Sequence, residues 1–345
     1  MSQVAVCPQV VSAGRAGAQV RAARVCGLGA YVPEQVLTNR DLEQMVDTSD
    51  EWIVSHTGIS QRHIARDDQA CSDLAAEAAS MALARSGIPR DQIELILVAT
   101  VTPDHSFPAT ACYVQDKLGL PQCACFDVGT GCTGFIYGLA IGGAFVAAGL
   151  HDYVLVMAAE TLSKVTDWED RSTCVLFGDG AGAAVLGPTE PGDGLLAYHM
   201  VTDGSVADLL QLPAGGSRQP ITPDALQRRE QYIRMAGHDV FKLAVRGIPE
   251  VALAALDKAG LVPEDVDLLV MHQANQRIID AAAKRFDLPP EKVVCNVDRY
   301  GNTSAASIPI ALAEAEEDGR LQRGSIVLMV GFGAGFSLGA CVVRW

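Results

Sequence analysis

Two stretches of the chain repeat one alternation of apolar and polar positions. Ala82–Ala99 (ALARSGIPRDQIELILVA) and Ala255–His272 (ALDKAGLVPEDVDLLVMH) each predict a helix stopped by glycine, a short polar turn and an apolar run of strand length. Gly87 falls on Gly260, Asp91 on Glu264 and Glu94 on Asp267, at an offset of 260 − 87 = 173 in a chain of 345 residues. Phe126–Val128 then leads to Cys132, and Cys295–Val297 to Asn302, both as strand ends opening onto a helix. A third pair, GDGAG at Gly178–Gly182 and GFGAG at Gly331–Gly335, has an offset of 331 − 178 = 153. That shorter spacing predicts an insertion in the first half, ahead of its glycine-rich turn. The duplication predicts two similar α/β halves related by a pseudo-twofold, with sites where they meet. We set their limits at 25–193 and 194–345, with the join near Pro191–Gly194 and residues 1–24 as a flexible N-terminal extension.

Val128–Leu150 carries no charged residue and is long enough to span a bilayer. Seven glycines interrupt it, and its flanks are Asp127 and Asp152 rather than Lys, Arg or aromatic anchors. A helix apolar on all sides is also what the centre of a large α/β protein requires, so a buried core helix is expected.

Charge narrows the partners. With 26 Lys+Arg against 41 Asp+Glu, the net charge is −15, which argues against nucleic acid as a ligand. The 10 cysteines include no CxxC pair, so neither a disulfide framework nor a zinc site is expected, and mostly buried thiols in a reducing cytoplasm are. The first acid is Glu34; Arg15, Arg21 and Arg24 precede it among small residues, so a plastid transit peptide is the alternative to a plain extension.

Candidate chemistry centres on three residues. Cys132 follows GTG and precedes the uncharged helix, a position where unpaired N–H groups and the helix dipole favour thiolate. His272 ends the apolar run DLLVM, and Asn302 stands in RYGNTSAAS. The duplication puts Cys132 and Asn302 at corresponding places and His272 at the end of the other repeated strand, so the three converge on one crevice. Cysteine, histidine and asparagine together make a site for covalent catalysis. Gly178–Ala183 matches GxGxxA, but a strand-like run follows it where a dinucleotide fingerprint must open a helix.

The segments TSDEWI, FDVGTGCTGF, FGDGAGAAVL, HQANQRII, DRYGNTSAAS and GFGAGFSLG, spread from about Gly27 to Trp345, resemble those of the β-ketoacyl-acyl-carrier-protein synthase III family. The resemblance implies a thiolase-like fold, two duplicated α/β halves in a five-layered αβαβα homodimer, with no metal and no cofactor. It implies acyl transfer from acyl-CoA to Cys132, then decarboxylative condensation with malonyl-acyl carrier protein promoted by His272 and Asn302. The amides of Cys132 and Ala334 match the oxyanion hole, although the family usually has GGG where this chain has GAG. Thr48, Trp52, Arg171 and Asn275 match the CoA contacts; His56 stands where Arg is common and would weaken phosphate pairing. Phe107 matches the residue reaching into the partner's acyl pocket, and Leu162, Phe177, Leu210 and Phe332 match positions lining or bordering that pocket. For the carrier protein the resemblance points to Gln273, Ala274, Asn275, Gln276 and Arg277, joined by Lys242, Arg246, Lys284 and Arg285 as a local basic patch on an acidic chain. No membrane partner is implied. The rival readings are a thiolase-fold acyltransferase or ketosynthase of secondary metabolism, and a catalytically silent partner subunit. Asn302 argues against relatives that carry an acid or a second histidine there.

Overall fold

The computed structural model of the protein describes residues 21–345. Two five-stranded sheets organise it. The first runs β1 (Ala22–Tyr31), β7 (Gly180–Thr189), β6 (Tyr153–Glu160), β4 (Ile93–Ala99), β5 (Ala124–Val128). The second runs β8 (Gly194–Thr202), β14 (Ser337–Arg344), β13 (Ile326–Gly333), β11 (Leu268–Met271), β12 (Val293–Val294). Small pairs, β2 (Gln35–Thr38) with β3 (Gln61–Ile64) and β9 (Leu210–Gln211) with β10 (Arg234–Met235), lie outside them. Strand directions repeat as well: β4 is parallel to β5 and β6, as β11 is to β12 and β13, and the other pairings are antiparallel. The repeated sequence pattern is thus a repeated topology.

Two details of the alignment differ. β7 starts inside GDGAG, at Gly180, whereas GFGAG closes β13 and β14 starts beyond it at Ser337, so the two glycine motifs are not structural equivalents. The insertion does precede the first motif's strand: residues 161–179 link β6 to β7, whereas residues 334–336 link β13 to β14. Nor do Cys132 and Asn302 coincide. The central helices start at Gly134 and Ser307, again 173 apart, which sets Cys132 against Ala305 and Asn302 three residues earlier. A short extra helix, Val297–Tyr300, occupies the approach to Asn302.

Helices Cys71–Ser86 and Thr110–Lys117 cover the outer face of the first sheet, and Gly237–Ala259 and Gln276–Arg285 cover that of the second. Helices Gly134–Ala147 and Ser307–Glu317 lie between the sheets, which completes the five αβαβα layers. Strands buried on both faces explain the unbroken apolar runs. On β4, Leu95, Leu97 and Ala99 join the central core while Ile96 and Val98 join the outer one. Within the uncharged stretch, Phe135, Ile136 and Leu139 are fully buried, each contributing about 1.5–3 kcal/mol. Gly138 allows the approach to β6, since a Cβ there would lie 2.7 Å from Val156 Cγ1. Among the described residues no helix is long and apolar enough to cross a membrane.

The N-terminal limit shifts. Ala22–Arg24, read as part of the extension, pair with Thr189–Gly187 in β1, and Arg21 Nη1 bonds Asp152 Oδ1 at 2.7 Å. Residues 1–20, and with them the transit-peptide reading, lie outside the described residues. The nine described cysteines are all free, four buried, four half-buried and Cys112 exposed, a lower degree of burial than expected.

Candidate active site

Cys132 lies in the 3₁₀ turn Gly131–Thr133 that feeds β5 into the central helix Gly134–Ala147. Gly131 takes φ +58°, a left-handed turn that glycine adopts without strain. The end of β13 closes on the turn from the other half of the molecule. A Cβ at Gly333 would lie 2.9 Å from both Cβ and N of Cys132, and one at Gly131 would lie 3.4 Å from Ala334 N. The amides of Cys132 and Ala334 therefore neighbour each other across the interface of the halves.

Cys132 is 8% exposed, and burial pushes its thiol up to about 12; the Ser304 hydroxyl opposes that rise and the Glu160 carboxylate adds to it. The expected thiolate is absent at rest. Desolvation outweighs a helix terminus, whose effect is at most about 2 kcal/mol.

His272 follows β11, its N–H bonded to Val330 O at 2.8 Å. Its Nδ1 is 2.7 Å from Ser307 Oγ, which also accepts the Gln273 N–H at 3.2 Å. With the Ser307 O–H donating to Nδ1, the ring proton is on Nε2. Burial lowers the imidazole to about 3, so it is a neutral donor, edge-on to Phe332 at 5.2 Å.

Asn302 bridges to Phe177, its N–H bonded to Leu176 O at 2.8 Å. Its Oδ1 accepts the Ser304 N–H at 2.9 Å, which turns the side-chain oxygen inward and leaves Nδ2 to donate.

Two cavities share Cys132. One of about 90 Å³ is lined by Cys132, His272 and Asn302 with Phe177, Leu210 and Phe332, which brings the three sequence candidates together. The other, about 160 Å³, is lined by Cys132, Val101, Leu162, Phe177, Leu210, Ile233 and Ala334 among others and is largely apolar. Leu162, Phe177 and Leu210 line the larger cavity, and Phe332 stands on the adjoining one that shares Cys132, Phe177 and Leu210, its ring toward His272. Phe107 is 85% exposed and lines neither cavity.

The surface residues matched to CoA also assemble. The Arg171 guanidinium lies 5.0 Å from the Trp52 ring centre, and His56 stacks on that ring at 4.4 Å with its Nδ1 2.7 Å from Trp52 O. Asn275 Nδ2 donates to His56 O at 3.0 Å, while the Thr48 hydroxyl oxygen is buried without a partner.

Helix Gln276–Arg285 exposes Arg277, Lys284 and Arg285, and Arg277 packs over Phe241 at 5.7 Å from its ring centre, beside exposed Lys242 and Arg246. Asp239 and Glu250 partly offset those last two, at 3.7 and 3.9 Å. Gln276 is tied to Asp280. Gln273 is a correction: 1% exposed, it donates to Met271 O and Val294 O and accepts from Asn296 N, so it braces the site from within. Ala274 is buried too and lines the smaller cavity. Neither offers a docking surface.

Ser304, Ser307 and Glu160 escaped sequence reasoning as functional residues. Both serines stand in the quoted NTSAAS motif, and Glu160 is the acid that ends the apolar run YVLVMAAE, an available signal for a buried carboxylate. Among the described residues no group of three or more His, Cys, Asp or Glu is arranged to hold a metal.

Residues 126–204 match the profile of 3-oxoacyl-[acyl-carrier-protein (ACP)] synthase III, and residues 256–345 that of its C-terminal part. A β-ketoacyl-[acyl-carrier-protein] synthase III of Desulfitobacterium hafniense is 54% identical over 93% of this chain and 97% of its own. Solved synthase III structures from Thermus thermophilus and Aquifex aeolicus superpose with TM-scores of 0.87 and 0.86. The first is 48% identical over 93% of this chain and 99% of its own, the second 46% over 94% and 100%.

Proposed function

The chain belongs to the β-ketoacyl-[acyl-carrier-protein] synthase III family, and from that premise we propose that it starts fatty acid synthesis by condensing an acyl-CoA primer with malonyl-acyl carrier protein. The observation that carries this reading is Cys132, His272 and Asn302 on one cavity. Cys132 Sγ attacks the primer's thioester carbonyl, CoA leaves as its thiolate, and the amides of Cys132 and Ala334 bind the oxyanion. In the second half-reaction malonyl-carrier protein loses carbon dioxide. His272 Nε2–H and Asn302 Nδ2–H bond the thioester oxygen as the enolate forms. Both donors are uncharged, and neither gives up its proton. The enolate carbon attacks the acyl carbonyl, the bond to Sγ breaks, and 3-oxoacyl-carrier protein is released. No metal or cofactor takes part.

The larger cavity receives the acyl chain. Its 160 Å³ is close to that of an apolar cavity of about 150 Å³ known to hold benzene, so primers of up to about six carbons fit as well as acetyl. CoA enters beside Trp52, Arg171, Thr48, Asn275 and His56. A base between Trp52 and Arg171 needs about 7 Å, two contacts of about 3.5 Å; they stand 5.0 Å apart, so Arg171 swings outward on binding. The carrier protein docks on Arg277, Lys284 and Arg285, with Gln276, Lys242 and Arg246 beside them. We further propose a homodimer, in which exposed Phe107 of one protomer closes the acyl cavity of its partner, working in the cytoplasm.

The test is intact mass after exposure to acetyl-CoA. The wild-type chain gains one acetyl group and Cys132→Ser none; a full adduct on the mutant would overturn the nucleophile. A rate survey across acyl-CoA primers of increasing length measures the capacity of the cavity.

A further inference from the structure

Glu160, at the end of β6, is fully buried, and the two half-reactions leave it without a role. Its carboxylate accepts from Thr102 Oγ1 at 2.7 Å, Thr100 Oγ1 at 3.2 Å, Val101 N at 3.1 Å and Ser304 Oγ at 3.0 Å. All four donors are neutral. Ser304 also lines the larger cavity together with Cys132. Cys132, Ser304 and Glu160 therefore succeed one another from the cavity into the interior, across the two halves. Ser304 takes φ +50°, uncommon for a residue with a side chain, and its N–H is tied to Asn302 Oδ1. The same unusual backbone thus orients Asn302 and sets the hydroxyl between acid and thiol.

We propose that Glu160 is a positioning residue for the proton of Cys132, holding that proton by way of Ser304 while the cysteine is acylated. The proposal rests on Cys132 being the nucleophile. At rest the thiol donates to Ser304 Oγ and the Ser304 hydroxyl donates to the Glu160 carboxylate. As Sγ attacks, its proton passes to Ser304 Oγ and the Ser304 proton passes to Glu160, leaving a neutral acid and an intact hydroxyl. When condensation breaks the bond to Sγ, both shifts reverse and the departing thiolate is reprotonated. CoA thiolate takes its proton from solvent, so the cycle consumes one proton overall.

The physical reason is charge conservation in a dry site. Two buried anions side by side are expensive, and ionised Glu160 itself holds the thiol protonated. Passing the proton along the row moves one negative charge from carboxylate to sulfur without creating a second. Burial, opposed by its hydrogen bonds, raises Glu160 to about 7, which suits an exchange near neutrality. The imidazole of His272 stays uncharged and supplies no counter-charge. From the outer helix, Cys71 faces the same cluster, its Sγ 3.3 Å from Thr100 Oγ1; burial keeps it a thiol, with Asp104 and Asp127 adding to the effect.

The experiment follows alkylation of Cys132 by iodoacetamide in the full chain, read on the Cys132 peptide by mass spectrometry across the neutral pH range. The wild-type rate should rise with a midpoint near the Glu160 value of about 7 and then level off. Glu160→Gln should lose that rise and react more slowly at neutral pH, on the order of 10²-fold. Glu160→Asp should restore the rise. A merely structural role for the acid would lower the melting temperature without removing the inflection. A folded Glu160→Gln protein with the wild-type profile overturns the proposal. Should Glu160→Gln not fold, Ser304→Ala keeps the acid and breaks the relay; the same rise must vanish, and its persistence overturns the proposal equally. Wild-type protein that gains no acetyl group on Cys132 would instead defeat the underlying assignment of the nucleophile, whatever the variants do.

Discussion

Uncharged hydrogen-bond donors are the working parts of this site, and their neutrality comes from burial. A histidine in water would be partly protonated near neutral pH; His272, lowered to about 3, is not. Asn302 cannot ionise at all, and Ser304 fixes which end of its amide faces the cavity. In the proposed reaction both residues act where charge develops on the malonyl thioester, so their loss should spare the first half-reaction. Asn302→Ala should still take up radiolabelled acetyl-CoA but release carbon dioxide from malonyl-carrier protein about 10²–10³-fold more slowly. Paired single-turnover labelling and carbon dioxide release measure both. A mutant that decarboxylates normally but cannot be acylated would show the roles reversed.

Between elements, the decisive contact is β13 against the turn that carries Cys132. Gly333 leaves no room for a methyl group, since its Cβ would meet Cys132 backbone and side chain at 2.9 Å. Gly333→Ala must displace the nucleophile, and displacements near 1 Å can cost about 10² in rate. Acylation measured by rapid-quench mass spectrometry should slow by about that factor while circular dichroism shows the fold retained. The helix Gln276–Arg285 gives a second prediction at this scale. It caps on Asn275, beside the proposed CoA entrance, and turns Arg277, Lys284 and Arg285 outward. Arg277→Glu should raise KM for malonyl-carrier protein, more at low salt than at high, because an exposed charge is screened within about 8 Å at physiological ionic strength. Acylation by the primer should be unchanged; an equal fall in both half-reactions would move Arg277 into the CoA path.

For the molecule as a whole, the outstanding surface feature is Phe107, a large aromatic side chain 85% exposed in the segment between β4 and the helix Thr110–Lys117, while β5, an edge strand of the first sheet, exposes Phe126. An unpaired strand edge next to exposed aromatic groups invites a partner. The proposed dimer should therefore weaken in Phe107→Asp, seen as a shift toward monomer in sedimentation velocity, with acylation reduced because the acyl cavity would lose the lid assigned to it. A variant that stays dimeric and fully active would remove Phe107 from the interface.

The sequence by itself determined the duplicated topology, because apolar runs and glycine stops repeat at an offset that local pattern alone reveals. It also singled out Cys132, His272 and Asn302, through motifs in which residue type and chemistry agree, and the structure brings the three onto one cavity. Gln273 and Ala274 were drawn to the surface by their place next to Arg277, yet both are buried. Helix position alone suggested a thiolate at Cys132, because a sequence shows the dipole and conceals the desolvation. The tertiary structure alone decided which way each side chain points and which atoms are dry. It also brought Glu160 of one half to Ser304 of the other, 144 residues apart, a contact without any local signature. Chain periodicity records which face of an element is covered; it cannot record what covers it.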